Sequence, residues 1–168
     1  MSVYDRIASL PVTIESVDRR RYVAATTSDF ERTTTEFRLT GDGVVGRGED
    51  VTYEAADHDA LAGTDPIDIE GEWTIDELSR ALDDIDLFTA APPTREAFRN
   101  YRRWAVQRAA LHLGLRPAET NLCAYLGIQP DPRRVLLTTP LRHPPTAALV
   151  ARSPPASPTV AAKRTPLP

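Results

Sequence analysis

A chain of 168 residues with 41% hydrophobic content can hold one ordinary domain with a real core, or one small domain and a tail. A single cysteine, Cys123, excludes an intrachain disulfide. No run of about 18 apolar residues occurs and the start MSVYDRIASLPVTIESVDRRR lacks a signal or anchor pattern, so no membrane partner and a cytoplasmic location are expected.

Charge divides the chain. Residues 1–131 hold all 24 acidic residues and 14 of the 20 basic ones, a net of −10, whereas residues 132–168 carry +6 and no acid. Lys163 is the only lysine among the basic residues, and this acidic, lysine-poor composition resembles that of proteins from salt-loving archaea. An acidic surface repels phosphates, so nucleic acid is not an expected partner.

Residues 12–25, from VTIESV to RYVAAT, are rich in β-branched and aromatic side chains and predict one strand, interrupted around Asp18–Arg21. A polar turn follows at Thr27–Asp29. Residues 30–40 predict a second strand with Phe37 and Leu39 on one face and Arg32, Glu36 and Arg38 on the other. Gly41-Asp42-Gly43 is a hairpin signal, because glycine accepts positive φ at low cost. Residues 44–53 give a third strand, whose glycines imply a bulge or a close backbone approach. The three strands form an antiparallel meander.

Helical signals come next. A short helix is expected over 57–61, ending at Gly63. Thr74 and Glu77 have capping-box spacing and open a helix to about Asp84, with Leu78 and Leu82 on one side. Thr94 is expected to cap a long helix over 95–115, with Tyr101, Trp104, Ala105, Leu111 and Leu115 facing the sheet. Thr120-Asn121 caps a last short helix, Leu122–Leu126, closed by Gly127. Val135–Thr139 reads as a short buried strand. Residues 140–168 hold eight of the 15 prolines and no acid, a composition that predicts a disordered basic tail. The expected class is α+β: a three-stranded antiparallel meander, then a helical bundle, then the Pro-rich tail.

GDGVVGRGEDVTY is similar to the G-x-G-x-G-E segment on the third strand of the enolase-superfamily N-terminal domain. FRNYRRWAVQRAALHLGLRPAETNLCAYLGI is similar to that domain's A-x-x-A-L-W-D-L helix and the L-x-x-L-L-G turn after it. The overall pattern over residues 4–139 resembles the mandelate racemase/muconate lactonizing branch, including o-succinylbenzoate synthase-like members. His112 and Arg47 depart from it, standing where an aspartate and a tryptophan are usual.

The resemblance implies a capping domain over 1–131, a remnant of the first barrel strand over 132–139, and the tail. In a full-length relative it implies abstraction of a proton α to a carboxylate, with Mg²⁺ stabilising the enediolate of a small carboxylate substrate. The ligands and base belong to a (β/α)₈ barrel, which this chain is too short to contain. The abrupt change of composition reads as a frameshifted or misread gene end. No catalytic and no metal-binding residue is therefore assigned, and no cofactor is expected in this chain. The matching lid loop, which would contact substrate, is Thr26, Thr27, Ser28, Asp29 and Phe30.

Other candidates have plainer readings. Asp57-His58-Asp59 reads as a solvated helix start rather than a metal site, because adjacent residues rarely converge on one ion. Glu49 and Asp50 read as strand-end carboxylates, His112 as a hydrogen-bonded core or interface residue, and Cys123 as a small buried side chain. The first functional expectation is a truncated, inactive capping domain of a metal-dependent lyase or isomerase. The alternative is a freestanding α+β interaction module with the basic tail as its binding arm. A cut capping domain would leave Trp104, Leu111 and the Val135–Leu137 strand partly uncovered, an apolar face through which self-association is possible, whereas a freestanding module would cover them.

Overall fold

A computed structural model of the chain describes residues 2–25 and 31–129. In chain order it runs α1 (Val3–Ile7), β1 (Pro11–Ile14), β2 (Ser16–Ala25), β3 (Glu31–Gly41), β4 (Val44–Asp50), α2 (Ala55–Ala62), β5 (Gly71–Thr74), α3 (Ile75–Asp84), α4 (Phe98–Leu115) and α5 (Leu122–Tyr125). The class is α+β, with β2-β3-β4 as an antiparallel meander and the larger helices after it. The lid residues 26–30, the strand remnant 132–139 and the tail 140–168 lie outside the described residues.

The first expected strand is two. The chain breaks at Glu15, whose N–H donates to the Thr40 carbonyl at 2.7 Å. β2 then runs unbroken across Asp18–Arg21, pairing Asp18 with Arg38 and Arg21 with Thr35. β1 leaves this meander and pairs antiparallel with β5, which the sequence did not announce. β5 is only GEWT, and two of its four residues are poor strand formers; the edge of β1 holds it extended.

Alternation along β3 buries Thr33, Thr35, Phe37 and Leu39. The other face carries the charged rows Asp18–Arg38–Arg47 and Arg20–Glu36–Glu49 and is open. α4 lies across the inner face, against β4 and β3. Gly46 and Gly48 permit this contact. A Cβ on Gly46 would collide with the Ala109 carbonyl oxygen, and one on Gly48 with that of Ala105. Close backbone approach is thus the role of these glycines.

That contact also fixes how α4 is rotated. Ala105 and Ala109 must face the glycines, so the stripe Phe98, Arg102, Ala105, Val106, Ala109, Leu113 is the buried one. Trp104, about 100° around the helix from Ala105, turns away from the sheet and is 57% exposed. Tyr101 and Leu111 are half-buried beside it, so these three do not pack on the sheet as expected.

Helix ends follow local chemistry. Thr74 accepts from the Glu77 N–H at 3.2 Å, and Glu77 accepts from the Thr74 N–H at 2.8 Å, which closes the expected capping box on α3. Asn121 caps α5 by accepting from the Ala124 N–H at 3.0 Å, and Gly127 turns the chain with φ +63°. α4 does not start at Thr94. It starts at Phe98 without a side-chain cap, because the Thr94 N–H and hydroxyl both donate to the Asp57 carboxylate, at 3.1 and 2.6 Å.

Candidate functional site

Of the polar residues singled out in the sequence, Asp50, Asp57 and His58 fall into a buried hub between β4, α2 and α4. Arg102 sits on the sheet-facing stripe of α4 and is 1% exposed. Its Nε donates to Asp50 Oδ2 at 2.9 Å, its Nη1 to the Leu87 carbonyl at 2.9 Å, and its Nη2 to the Asp57 carbonyl at 2.9 Å. The guanidinium carbon lies 3.6 Å from the centroid of the Phe88 ring, a cation–π stack. The other oxygen of Asp50 accepts from the Thr52 N–H at 3.0 Å and the Thr52 hydroxyl at 2.5 Å.

His58 belongs to the same hub. Its Nε2 lies 3.0 Å from the Thr52 carbonyl, which can only accept, so Nε2 carries the proton. In the neutral ring Nδ1 then accepts from the Thr35 hydroxyl at 2.9 Å. Asp57 holds Thr94, and Asp59 pairs with Arg21 at 2.8 Å. The three neighbours Asp57, His58 and Asp59 thus point to three different partners. Asp57 and His58 are buried rather than solvated, because α2 lays them against β3 and the Thr94 turn. Among the described residues no group of three or more His, Cys, Asp or Glu side chains is placed to hold a metal ion. The donors and acceptors of the hub face one another, so it fixes geometry.

The remaining candidates separate. Glu49 is exposed on β4 while Asp50 is in the hub. His112 is exposed, and its Nδ1 accepts from the Arg47 N–H at 3.1 Å, tying α4 to β4. Cys123 is exposed rather than buried, because the single turn of α5 presents it outward. A cleft of about 210 Å³ between β2 and α2 is lined by Arg19, Arg21, Thr35 and His58. Burial, and next the charge of Arg102, pushes the Arg19 guanidinium below its usual range, and Arg19 donates to Thr64 Oγ1 at 2.8 Å.

The exposed apolar surface lies on the other side of α4. A groove of about 350 Å³ has α3 as its floor, through Ile75 and Leu78. α1 forms one wall with Tyr4 and Ile7, and α4 the other with Trp104, Arg108 and Leu111. Of the five residues expected to face the sheet, Ala105 and Leu115 are buried, while Trp104 and Leu111, with Arg108, line this groove. Trp104 packs its ring 5.6 Å from that of Tyr101. The Tyr4 hydroxyl donates to Asp76 at 2.8 Å; that bond, and next burial, holds the phenol above its ordinary range. The groove was not read from the sequence. Its signal was available in the second apolar stripe of α4, left over once Ala105 and Ala109 are assigned to the glycines.

Fold and site together define a small α+β domain: a meander backed on one face by helices, a buried Arg–Asp hub, and an apolar groove on the outside. A family model described as the N-terminal domain of a domain of unknown function (DUF8230) matches residues 5–125, and the chain belongs to that family. No curated protein and no solved structure matches it. The match covers most of the stretch on which the enolase-superfamily resemblance rested, and it overturns that resemblance. The glycine segment that carried it has a packing reason of its own, in the contact of Gly46 and Gly48 with α4. The Mg²⁺, the carboxylate substrate and the proton abstraction implied by the resemblance lose their basis with it. No helix among the described residues is long and apolar enough to cross a membrane.

Proposed function

We propose that this chain is a protein-interaction domain that offers the α1/α3/α4 groove to another protein. The observation that carries the reading is Trp104: a tryptophan more than half exposed beside a groove floored by Ile75 and Leu78. Burying such a ring against a partner removes a large apolar area from water, and tryptophan is among the residues that dominate interface energies. Asp50, Asp57, His58 and Arg102 are committed to one another and to neighbouring backbone and threonine groups in the hub, which argues for a structural role there. The family's description as an N-terminal domain fits a domain that works against a neighbour. The net charge of −10 over residues 1–131 favours protein over nucleic acid as that neighbour. A single cysteine fits a reducing compartment such as the cytoplasm.

A photo-crosslinking phenylalanine analogue placed at position 104 of the full chain tests this in cells. A discrete covalent adduct with a protein is expected from position 104, and none from position 34 on the open face of β3. Position 104 yielding no more adduct than position 34 would overturn the reading.

A further inference from the structure

We infer that the cleft between β2 and α2 binds a small oxyanion that carries its own hydrogen-bond donor, such as hydrogen phosphate or a 2-hydroxy acid. His58 sets the chemistry of the floor. The Thr52 carbonyl can only accept, so it fixes the proton on Nε2 and leaves Nδ1 as an acceptor. The Thr35 hydroxyl must then turn its one proton to Nδ1, at 2.9 Å. Both side chains are buried, so this orientation is set before any ligand arrives. Thr35 Oγ1 makes no other hydrogen bond among the described residues. What it shows the cleft is an oxygen lone pair.

Cations stand beside that acceptor. The β2–β3 register sets Arg21 opposite Thr35, and Arg19 lies two residues along the same face. Both line the cleft with Thr35 and His58. Arg21 is paired with Asp59. Arg19 has no carboxylate partner among the described residues. It donates to Thr64 alone, through Nη1 to Oγ1 at 2.8 Å and through Nη2 to the carbonyl, so most of its five N–H donors are unspent. Asp18, the one acid on the lining, is exposed and forms no ion pair with Arg19. A half-buried cation short of counter-charge attracts an anion. A fixed acceptor beside it disfavours an anion that has only acceptors to offer. An anion that also brings an O–H satisfies both, with its charge on Arg19 and its donor on Thr35. The volume of about 210 Å³ suits a small molecule, and Leu61 and Pro66 give the wall an apolar part.

Isothermal titration calorimetry of the purified full chain is the test, at about pH 8, where an ordinary imidazole is neutral and phosphate keeps one proton. Two matched pairs serve as probes: phosphate against sulfate, and lactate against propionate. Within each pair the first member has an O–H donor and the second has none. One site per chain is expected for phosphate or for lactate, and the pair that binds tells the inorganic ligand from the organic one. The donor-free member of that pair should bind at least about ten-fold more weakly, the loss of one well-placed hydrogen bond. Arg19→Gln should also weaken binding about ten-fold or more. Thr35→Ser keeps the hydroxyl and should bind as the parent does, whereas Thr35→Val should not bind; circular dichroism checks that each variant is folded. No binding of phosphate or lactate at millimolar concentration would overturn the inference. So would equal binding of both members of a pair, or binding that Arg19→Gln leaves unchanged, and neither readout depends on the buried Thr35 variants folding.

Discussion

Asp50, the last residue of β4, holds Arg102 of α4 at 2.9 Å, and both side chains are sealed from solvent. The pair joins the meander to the long helix at one point. Breaking it from one side leaves a buried charge with no counter-charge, which costs about 3–5 kcal/mol. Asp50→Asn and Arg102→Met should each lose that order of stability in urea unfolding. Because each single change already removes the interaction, the double variant should lose clearly less than the sum of the two. Additive losses would show that the pair is not coupled.

Asp57 and Thr94 make a second long-range tie, across 37 positions of sequence. Thr94→Val keeps the shape and removes the hydroxyl donor, leaving one oxygen of a buried carboxylate short of a partner. A loss of about 1–3 kcal/mol is expected. The rival view is that Thr94 caps α4, in which case Asp57→Ala would be indifferent to it. A double-mutant cycle separates the two. Coupling between Thr94→Val and Asp57→Ala supports the tie seen here; strict additivity refutes it.

The meander, the Thr74–Glu77 box and the Asn121 cap were legible because each is written in a local pattern: alternation, Asp-Gly, or a capping residue at fixed spacing. The misreadings arose where a distant partner decides. Thr94 has the chemistry of a cap, but Asp57 outcompetes the helix for it. Arg102 drew no assignment in the sequence, because its burial shows only when Phe98, Ala105 and Ala109 are counted as its stripe. Trp104 reads as core because tryptophan usually is, yet the alanine–glycine contact turns it outward. β5 has almost no signal of its own and exists because β1 has a free edge. The family resemblance failed for a related reason: glycines at alternate positions of a strand answer a packing need that unrelated domains can share.

Glycines 48 and 63 offer a controlled contrast. A Cβ at Gly48 would run into the Ala105 carbonyl oxygen, whereas one at Gly63 would meet nothing within 4 Å. Gly63 also has φ −90°, which alanine adopts without strain. Gly48→Ala must push α4 off the sheet and should cost about 1–3 kcal/mol or more. Gly63→Ala should be neutral, or stabilising by about 0.4–1 kcal/mol through the unfolded chain. Thermal melts of the two variants check the contrast. Equal melting points would mean that α4 does not lie on the β4 backbone as described.

Two exposed carboxylates contribute to the acid limb of the stability curve. The Thr74 N–H, and next its hydroxyl, holds the Glu77 carboxyl below its usual range, and the Phe88 N–H does the same for Asp86, with Arg99 assisting. A carboxyl whose pKa is lowered by folding binds its proton more tightly when unfolded. The stability it contributes is therefore complete above the unfolded value, about 4.3 for Glu, and is lost as pH falls through the lower folded value. Glu77→Gln should be less stable than the parent at neutral pH. As pH drops below the carboxylate range the parent loses this contribution and the variant has none to lose, so the two curves should converge. Urea midpoints across the acid range measure the gap. A gap that stays constant with pH would show that the Thr74–Glu77 box does not depend on the charge of Glu77.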